Sequence, residues 1–317
     1  MLRVMLSGCI AAASVMQLGS VTAQGFPAKP IRIVATEPGG GGDFAARILA
    51  QGITGPLGQS VVVENRPSGV IPGEIVARAT PDGHTLLVAA SVFVLGPLLQ
   101  KTPYDPVKDF VPVTLVMSSP SLLVSHPSVP VSSVKELIAL AKARPGELNY
   151  ASSGLGASNH LAGELFKAMT GVDIVRVPYK GSGPALTNLV GGQVQIMFSA
   201  TPTALPHVKT GKLRSLAVTS PKPSILAPGV PTMASTIPGY ESVTIFGVWA
   251  PAKTPDAVVA MLNREMVQVL GRADVKEKLL TAGVEAAGST PGELTAAMKG
   301  EIDRMGKVIR DAGIRAD

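Results

Sequence analysis

The sequence predicts an α/β fold in which mostly parallel sheets, covered by helices on both faces, are shared between two domains. Three observations carry that expectation. Short β-branched runs alternate with amphipathic segments, the pattern of βαβ units. Helix start signals stand between the runs. Two extended segments, 110–130 and 243–250, lie far apart in the chain, as a discontinuous two-domain protein needs where it crosses from one domain to the other and back.

Strands are expected at 31–35, 61–64, 85–89, 149–151, 174–177, 194–198 and 215–219. Among the helices, Ser133 and Glu136 make a capping box, the hydroxyl and the carboxylate each satisfying an orphan N–H. Val134, Leu137, Ile138 and Ala141 then share a face, and Pro145-Gly146 ends the helix. Thr254-Pro255-Asp256 and Thr290-Pro291-Gly292-Glu293 open two further helices, with Pro at the first helical position. The 110–130 segment is rich in Val, Pro and Ser and reads as two short strand-like runs with no helix between them. On this reading the first domain comprises 24–122 plus 247–317 and the second 123–246. Trp249 and Phe246, near the second crossing, read as hinge or core packing. Ligands of open α/β sheets bind beyond the carboxyl ends of strands, which places the expected site in the cleft between the domains.

The first residues read as an export signal. Arg3 is the only charge before Lys29, an apolar stretch follows to about Leu18, and Val21-Thr22-Ala23 offers a small-residue cleavage site. The apolar run is shorter than the ~20 residues a bilayer requires. Leu6-Ser7-Gly8-Cys9 matches a lipoprotein box, but too few residues precede it for a full apolar region; Cys9 is read as part of that region, with a lipid anchor as the alternative. Removal of 1–23 takes away the single cysteine, and with it disulfide and thiolate chemistry. It also takes away one positive charge of a net +6. The remaining basic balance suits a small anion; scattered basic residues and few aromatics argue against nucleic acid.

Three loops carry the chemistry. Pro38-Gly39-Gly40-Gly41-Gly42-Asp43 follows the first strand and precedes a helix expected from Phe44. Its glycines permit close backbone approach to a ligand, and the helix start offers N–H groups to an anion. Asp43 reads as an N-cap. Ser152-Ser153-Gly154-Leu155-Gly156-Ala157-Ser158 leads into a helix over 159–170 whose buried stripe is Leu161, Leu165 and Met169. Tyr179-Lys180-Gly181-Ser182-Gly183-Pro184 is a third start of this kind. Neither a dinucleotide fingerprint nor a phosphate loop is present. No nucleophile elbow occurs, and His84, His126, His160 and His207 form no zinc-ligand set, so neither metal nor cofactor is expected. His160, in the first turn of its helix, reads as a structural histidine close enough to touch ligand.

At these loops the chain resembles the solute-binding proteins of tripartite tricarboxylate transporters, the Bug family. The resemblance spans essentially the whole chain after residue 23. It rests on Lys29-Pro30-Ile31-Arg32-Ile33-Val34 leading to the glycine loop, Glu64-Asn65-Arg66-Pro67, and Ala79-Thr80-Pro81-Asp82-Gly83-His84. Further blocks are Ala151-Ser152-Ser153-Gly154 with Gly156, then His160-Leu161-Ala162-Gly163-Glu164, Val177-Pro178-Tyr179-Lys180-Gly181-Ser182-Gly183-Pro184 and Gly247-Val248-Trp249-Ala250-Pro251. The resemblance implies a type II periplasmic binding protein, or Venus flytrap: two α/β domains, a central cleft and two crossover strands. It implies a monomer, not an enzyme, that closes on a small carboxylate and hands it to membrane transporter subunits. It also implies ligand roles for Gly40, Gly41, Asp43, Ser152, Ser153 and Ser158, and extends them to Ser91 and Tyr179.

Three positions depart from the family pattern. Thr36-Glu37 stands where Phe-Pro is usual, Ser68-Gly69-Val70-Ile71-Pro72-Gly73 replaces a Gly-Ala-Gly-Gly run, and Ser199 replaces an Asp. Glu37, beside an anion site, would disfavour a polyanion and favour a ligand with a cationic or hydrogen-bond-donating far end. A Glu37 pointing to solvent is the alternative. Two other functions remain at this point: a periplasmic sensor subunit, and a hydrolase using a loop serine such as Ser153.

Overall fold

A computed structural model describes residues 25–67 and 70–315. The expected leader, with Cys9 and the cleavage site, lies outside the described residues, as do Ser68 and Gly69 of the second departure. In chain order the elements are β1 (Ile31–Ala35), α1 (Gly41–Leu57), β2 (Val61–Asn65), α2 (Val70–Ala77), β3 (Thr85–Ala90), α3 (Val92–Leu99) and β4 (Phe110–Ser125). Then follow α4 (Val134–Ala143), β5 (Asn149–Ser152), α5 (Ser158–Thr170), β6 (Val175–Pro178), α6 (Ser182–Val190), β7 (Ile196–Ala200), α7 (Thr201–Lys209) and β8 (Arg214–Val218). The chain closes with β9 (Val243–Pro251), α8 (Asp256–Gly271), α9 (Ala273–Thr281), β10 (Glu285–Ala286) and α10 (Pro291–Asp311). Every expected strand forms, displaced at its ends by at most two residues.

The α/β class holds, with a sheet more mixed than the alternation implied. Strands β2, β1 and β3 run parallel, as do β6, β5 and β7. Antiparallel β4 and β9 lie between the two parallel groups, giving the order β2-β1-β3-β9-β4-β7-β5-β6. The segment read as two short runs is one long strand. Phe110–Pro120 of β4 pairs with β9, and Ser121–Ser125 pairs with β7. Register shifts between Pro112 and Thr114 and between Leu115 and Met117 bend it, as extra residues in a ladder do.

Helix α1 starts earlier than expected, at Gly41, with Gly40 as its N-cap. Asp43 is consequently not the cap. It sits in the first turn and reaches back, its Oδ2 accepting the Gly39 N–H at 2.9 Å. Its Oδ1 meets Arg47 Nε at 2.8 Å and Asn65 Nδ2 at 2.9 Å, so one carboxylate ties together the loop, α1 and the end of β2. The Arg47 hydrogen bond, against the cost of burial, holds the carboxyl pKa down at about 2. Of the other start signals, Thr290 and Glu293 form a complete capping box on α10. Ser133 caps α4, but Glu136 turns to the N–H and hydroxyl of Ser132 instead of closing the box on Ser133. Met169 is more than a third exposed, so the buried stripe of α5 is Leu161, Ala162, Leu165 and Phe166.

Buried side chains form separate clusters along the sheet. Trp249 on β9 is fully buried with Phe93, Tyr104 and Phe110, and its indole N–H points at Met298 Sδ, 3.0 Å away. Helix α10 joins two of these clusters. Leu294 and Met298 pack with the Trp249 group, whereas Met305, Val308 and Ile309 pack with Leu123, Leu137, Phe166 and Phe198 on the other sheet half.

Two expectations follow. Gly163 of α5 lies flat on Tyr150, whose ring would stand 2.5 Å from an added Cβ. Gly163→Ala should destabilise the fold by about 1–3 kcal/mol, whereas Gly300→Ala, which meets nothing within 4 Å, should stabilise it by up to ~1 kcal/mol. Denaturant midpoints of the two variants test this contrast. The lowered Asp43 pKa means the folded state holds its proton less tightly than the unfolded chain. Its contribution to stability should be complete above the ordinary carboxyl pKa and fade as the pH falls towards about 2. A urea midpoint series should therefore show wild type and Asp43→Asn converging over that window.

Candidate functional site

In the turn from β1 to α1 each glycine has its own reason. Gly39 has φ 79°, a left-handed conformation that side chains rarely adopt. Gly41 is covered by the Phe246 ring, which would lie 2.5 Å from a Cβ there, and a Cβ on Gly42 would stand 2.8 Å from Thr36 Oγ1. The glycine content thus reflects packing as well as turning. Among the described residues the N–H groups of Gly41, Gly42 and Asp43 have no protein acceptor. They are orphan donors at the positive end of a helix. The Asp43 carboxylate is committed to Gly39, Arg47 and Asn65 and so holds the turn in shape. Glu37, Pro38 and Gly39 are exposed.

The turn from β5 to α5 spends most of its polar side chains on itself. Ser152 Oγ accepts from Arg176 Nε at 2.7 Å, and the same guanidinium donates to Ser153 O at 3.1 Å. Asn159 Oδ1 receives both the N–H and the hydroxyl of Ser153. His160 Nδ1 accepts the Gly156 N–H at 3.0 Å, which leaves the ring proton on Nε2. Burial, reinforced by Arg176, lowers the His160 pKa to about 4, so the ring is neutral at ordinary pH. Gly156, at φ 71°, lies against Leu99 of α3. Ser158 is exposed, and among the described residues the N–H groups of Ser158, Asn159 and His160 lack acceptors. Arg176 places a fixed positive charge behind this turn, a feature the sequence reading missed.

The start of α5 meets that of α3 at a cavity of about 120 Å³. Its polar lining is Ser91 at the cap of α3, Ser158 at the start of α5, Ser242, Thr244 on β9, and Glu301 of α10; Gly156 completes the turn. Val92, Leu95, Leu161 and Met305 supply apolar wall. Of the residues singled out in the sequence, Ser91, Gly156 and Ser158 come together here. The glycine turn is the cavity's neighbour, because Thr244 in the lining and Phe246 over Gly41 point to the same face of β9. Ser152 and Ser153 lie behind the lining. Tyr179 is tied to them through its N–H to Ser152 O, and its ring packs partly against the core beneath β7. Ser199 is buried on β7, with only long contacts to Ala200 O and Thr203 Oγ1.

Ser242, Thr244 and Glu301 were not foreseen. Ser242 immediately precedes β9 and Thr244 is its second residue, and neither carries a motif. Glu301 had a visible signal: it falls at helical spacing between Leu294, Met298 and Met305, Val308, a carboxylate on an otherwise apolar stripe. Among the described residues no group of three or more His, Cys, Asp or Glu is arranged to hold a metal, and no helix is long and apolar enough to cross a membrane.

Comparison with known proteins agrees with this architecture. The sequence profile described as "Tripartite tricarboxylate transporter family receptor" (TctC) matches residues 45–314. BugT of Bordetella pertussis is 39% identical over 302 residues, 93% of each chain. Among solved structures, Rhodopseudomonas palustris Rpa4515 with adipate is 37% identical with a TM-score of 0.72, covering 92% of this chain and 99% of that one. MatC from the same organism with bound malate is 31% identical (TM-score 0.69, 90% and 100% covered). A ligand-free TctC solute-binding protein from Polaromonas is 25% identical with a TM-score of 0.84, over 90% and 99%. This chain belongs to the tripartite tricarboxylate transporter receptor family, TctC, whose fold and relatives are those of periplasmic solute-binding proteins.

Proposed function

We propose that this chain is the periplasmic solute-binding component of a tripartite tricarboxylate-type transporter, exported with removal of residues 1–23, and that it captures a small carboxylate by closing two lobes around it. One observation carries the reading. Helix starts that follow strands of the two parallel groups, at α3 and α5, bring unpaired N–H groups and serine hydroxyls to a single cavity, with a third start at α1 beside it. Such donors hold a carboxylate without a proton transfer or a reorganised side chain. The lobes would be 24–122 plus 247–317 and 123–246, with the last turns of α10 crossing onto the second. Adipate and malate in the related structures support the ligand class. The better superposition on the ligand-free relative than on the two liganded ones supports an open form that closes on ligand.

Hydrolysis by a loop serine is the weaker reading. The Ser153 hydroxyl donates to an amide oxygen of Asn159, and the lone pair of the nearby His160 is taken by the Gly156 N–H. Neither neighbour is therefore placed to act as the base that would activate the serine.

Two outcomes are expected of the purified, leader-free protein. A saturating small carboxylate should raise the thermal midpoint; at a hundredfold excess over Kd the stabilisation is about 2.7 kcal/mol. Screening C3 to C6 acids by thermal shift tests this, and no shift across the series would sink the reading. Ser158→Ala should then weaken the best acid by about tenfold or more, the worth of a hydrogen bond to a charged group, with an unchanged melting point in its absence. Titration calorimetry reads both.

A further inference from the structure

Among the residues lining the cavity, Glu301 alone carries a formal charge. It is 7% exposed and stands on the apolar stripe of α10, where a hydrophobic side chain would cost nothing to bury. Its Oε2 accepts from Arg304 Nη2 at 2.8 Å. That arginine is shared, its Nη1 lying 3.3 Å from Glu241 Oε2 beside the start of β9. One cation thus serves two carboxylates, and the group keeps a net negative charge at the cavity wall. Among the described residues Glu301 Oε1 has no hydrogen-bond partner. Burial raises the Glu301 pKa, as expected of a carboxylate only partly compensated.

The rest of the cavity has the opposite character. The N–H groups at the start of α5 are donors at the positive end of a helix, with the Arg176 guanidinium behind their turn. The cavity therefore has a donor end and an acceptor end. A ligand with carboxylates at both ends would bring like charge against Glu301 in a desolvated space. A ligand with a carboxylate at one end and an ammonium at the other would satisfy both. Glu37 is exposed at the glycine turn and does not line this cavity. The same selection belongs to Glu301.

Resting on the carboxylate-capture reading above, we propose that Glu301 determines specificity by accepting a hydrogen bond from the cationic end of a short zwitterionic acid, so that this protein prefers amino acids over dicarboxylates of equal length. The test uses matched pairs on the leader-free protein: 4-aminobutyrate against succinate, and 5-aminovalerate against glutarate, by titration calorimetry. Wild type should bind the amino acid of a pair at least tenfold more tightly, and N-acetyl-4-aminobutyrate should lose that advantage. Glu301→Gln should abolish or invert the preference while succinate or glutarate still binds, which also shows that the variant is folded. If that variant does not fold, the acetylated ligand on wild type decides alone. Tighter dicarboxylate binding by wild type, or a preference unchanged in Glu301→Gln, overturns this inference and leaves carboxylate capture standing. Binding by neither series overturns both.

Discussion

The antiparallel pairing of β4 with β9 is the constraint from which the rest of the structure follows. Nine residues of β9 lie against the first part of β4, and the last residues of β4 pair with β7 on the other side. Each parallel group of strands has a free edge that would expose unpaired backbone, and this pair joins them into one sheet. The bulges in β4 lie within the stretch paired to β9. Trp249, Phe93 and Phe110 anchor one side of the pair and Leu123 and Phe198 the other, so the joint is packed as well as hydrogen-bonded.

Helix α10 is the second brace. Its early turns bury Leu294 and Met298 with the Trp249 cluster and its late turns bury Met305, Val308 and Ile309 with the opposite one. Glu301 lies where the helix passes from one to the other, beside the cavity. A single rigid element therefore supplies both the mechanical link and the charge at the back of the candidate site. Under the proposed closing motion, Arg304 and Glu241 span the region where the chain re-enters β9, which couples that charge to the joint.

The three glycine- and serine-rich turns share one physical design. Each follows a parallel strand and opens a helix, so its first N–H groups have no partner within the helix. What differs is how their side chains are used. Asp43, Ser152, Ser153, Asn159 and His160 spend themselves on backbone and side-chain partners within or beneath their own turns. Under the proposed function, backbone donors, together with the Ser91 and Ser158 hydroxyls, are left for a ligand. Pre-organisation is thereby assigned to side chains and recognition to the main chain.

By itself the sequence determined the α/β class, nearly every strand, the cap at Thr290, the family, and the turns around which the candidate site is built. These follow from local periodicity, from glycine and proline, and from short motifs whose physics is contained within a few residues. Tertiary structure decided the remainder. Only the folded chain could make 110–125 one bent strand, because its continuity depends on β9 and β7 as partners. Only packing revealed that Phe246 covers Gly41, that Arg176 stands behind Ser152 and Ser153, and that Asp43 is tied to β2. Glu301 was written in the sequence as a charge on an apolar stripe, but its meaning required knowing what faces it. Contacts between residues far apart in the chain have no periodicity to announce them, and at this cavity they set what surrounds the Glu301 carboxylate.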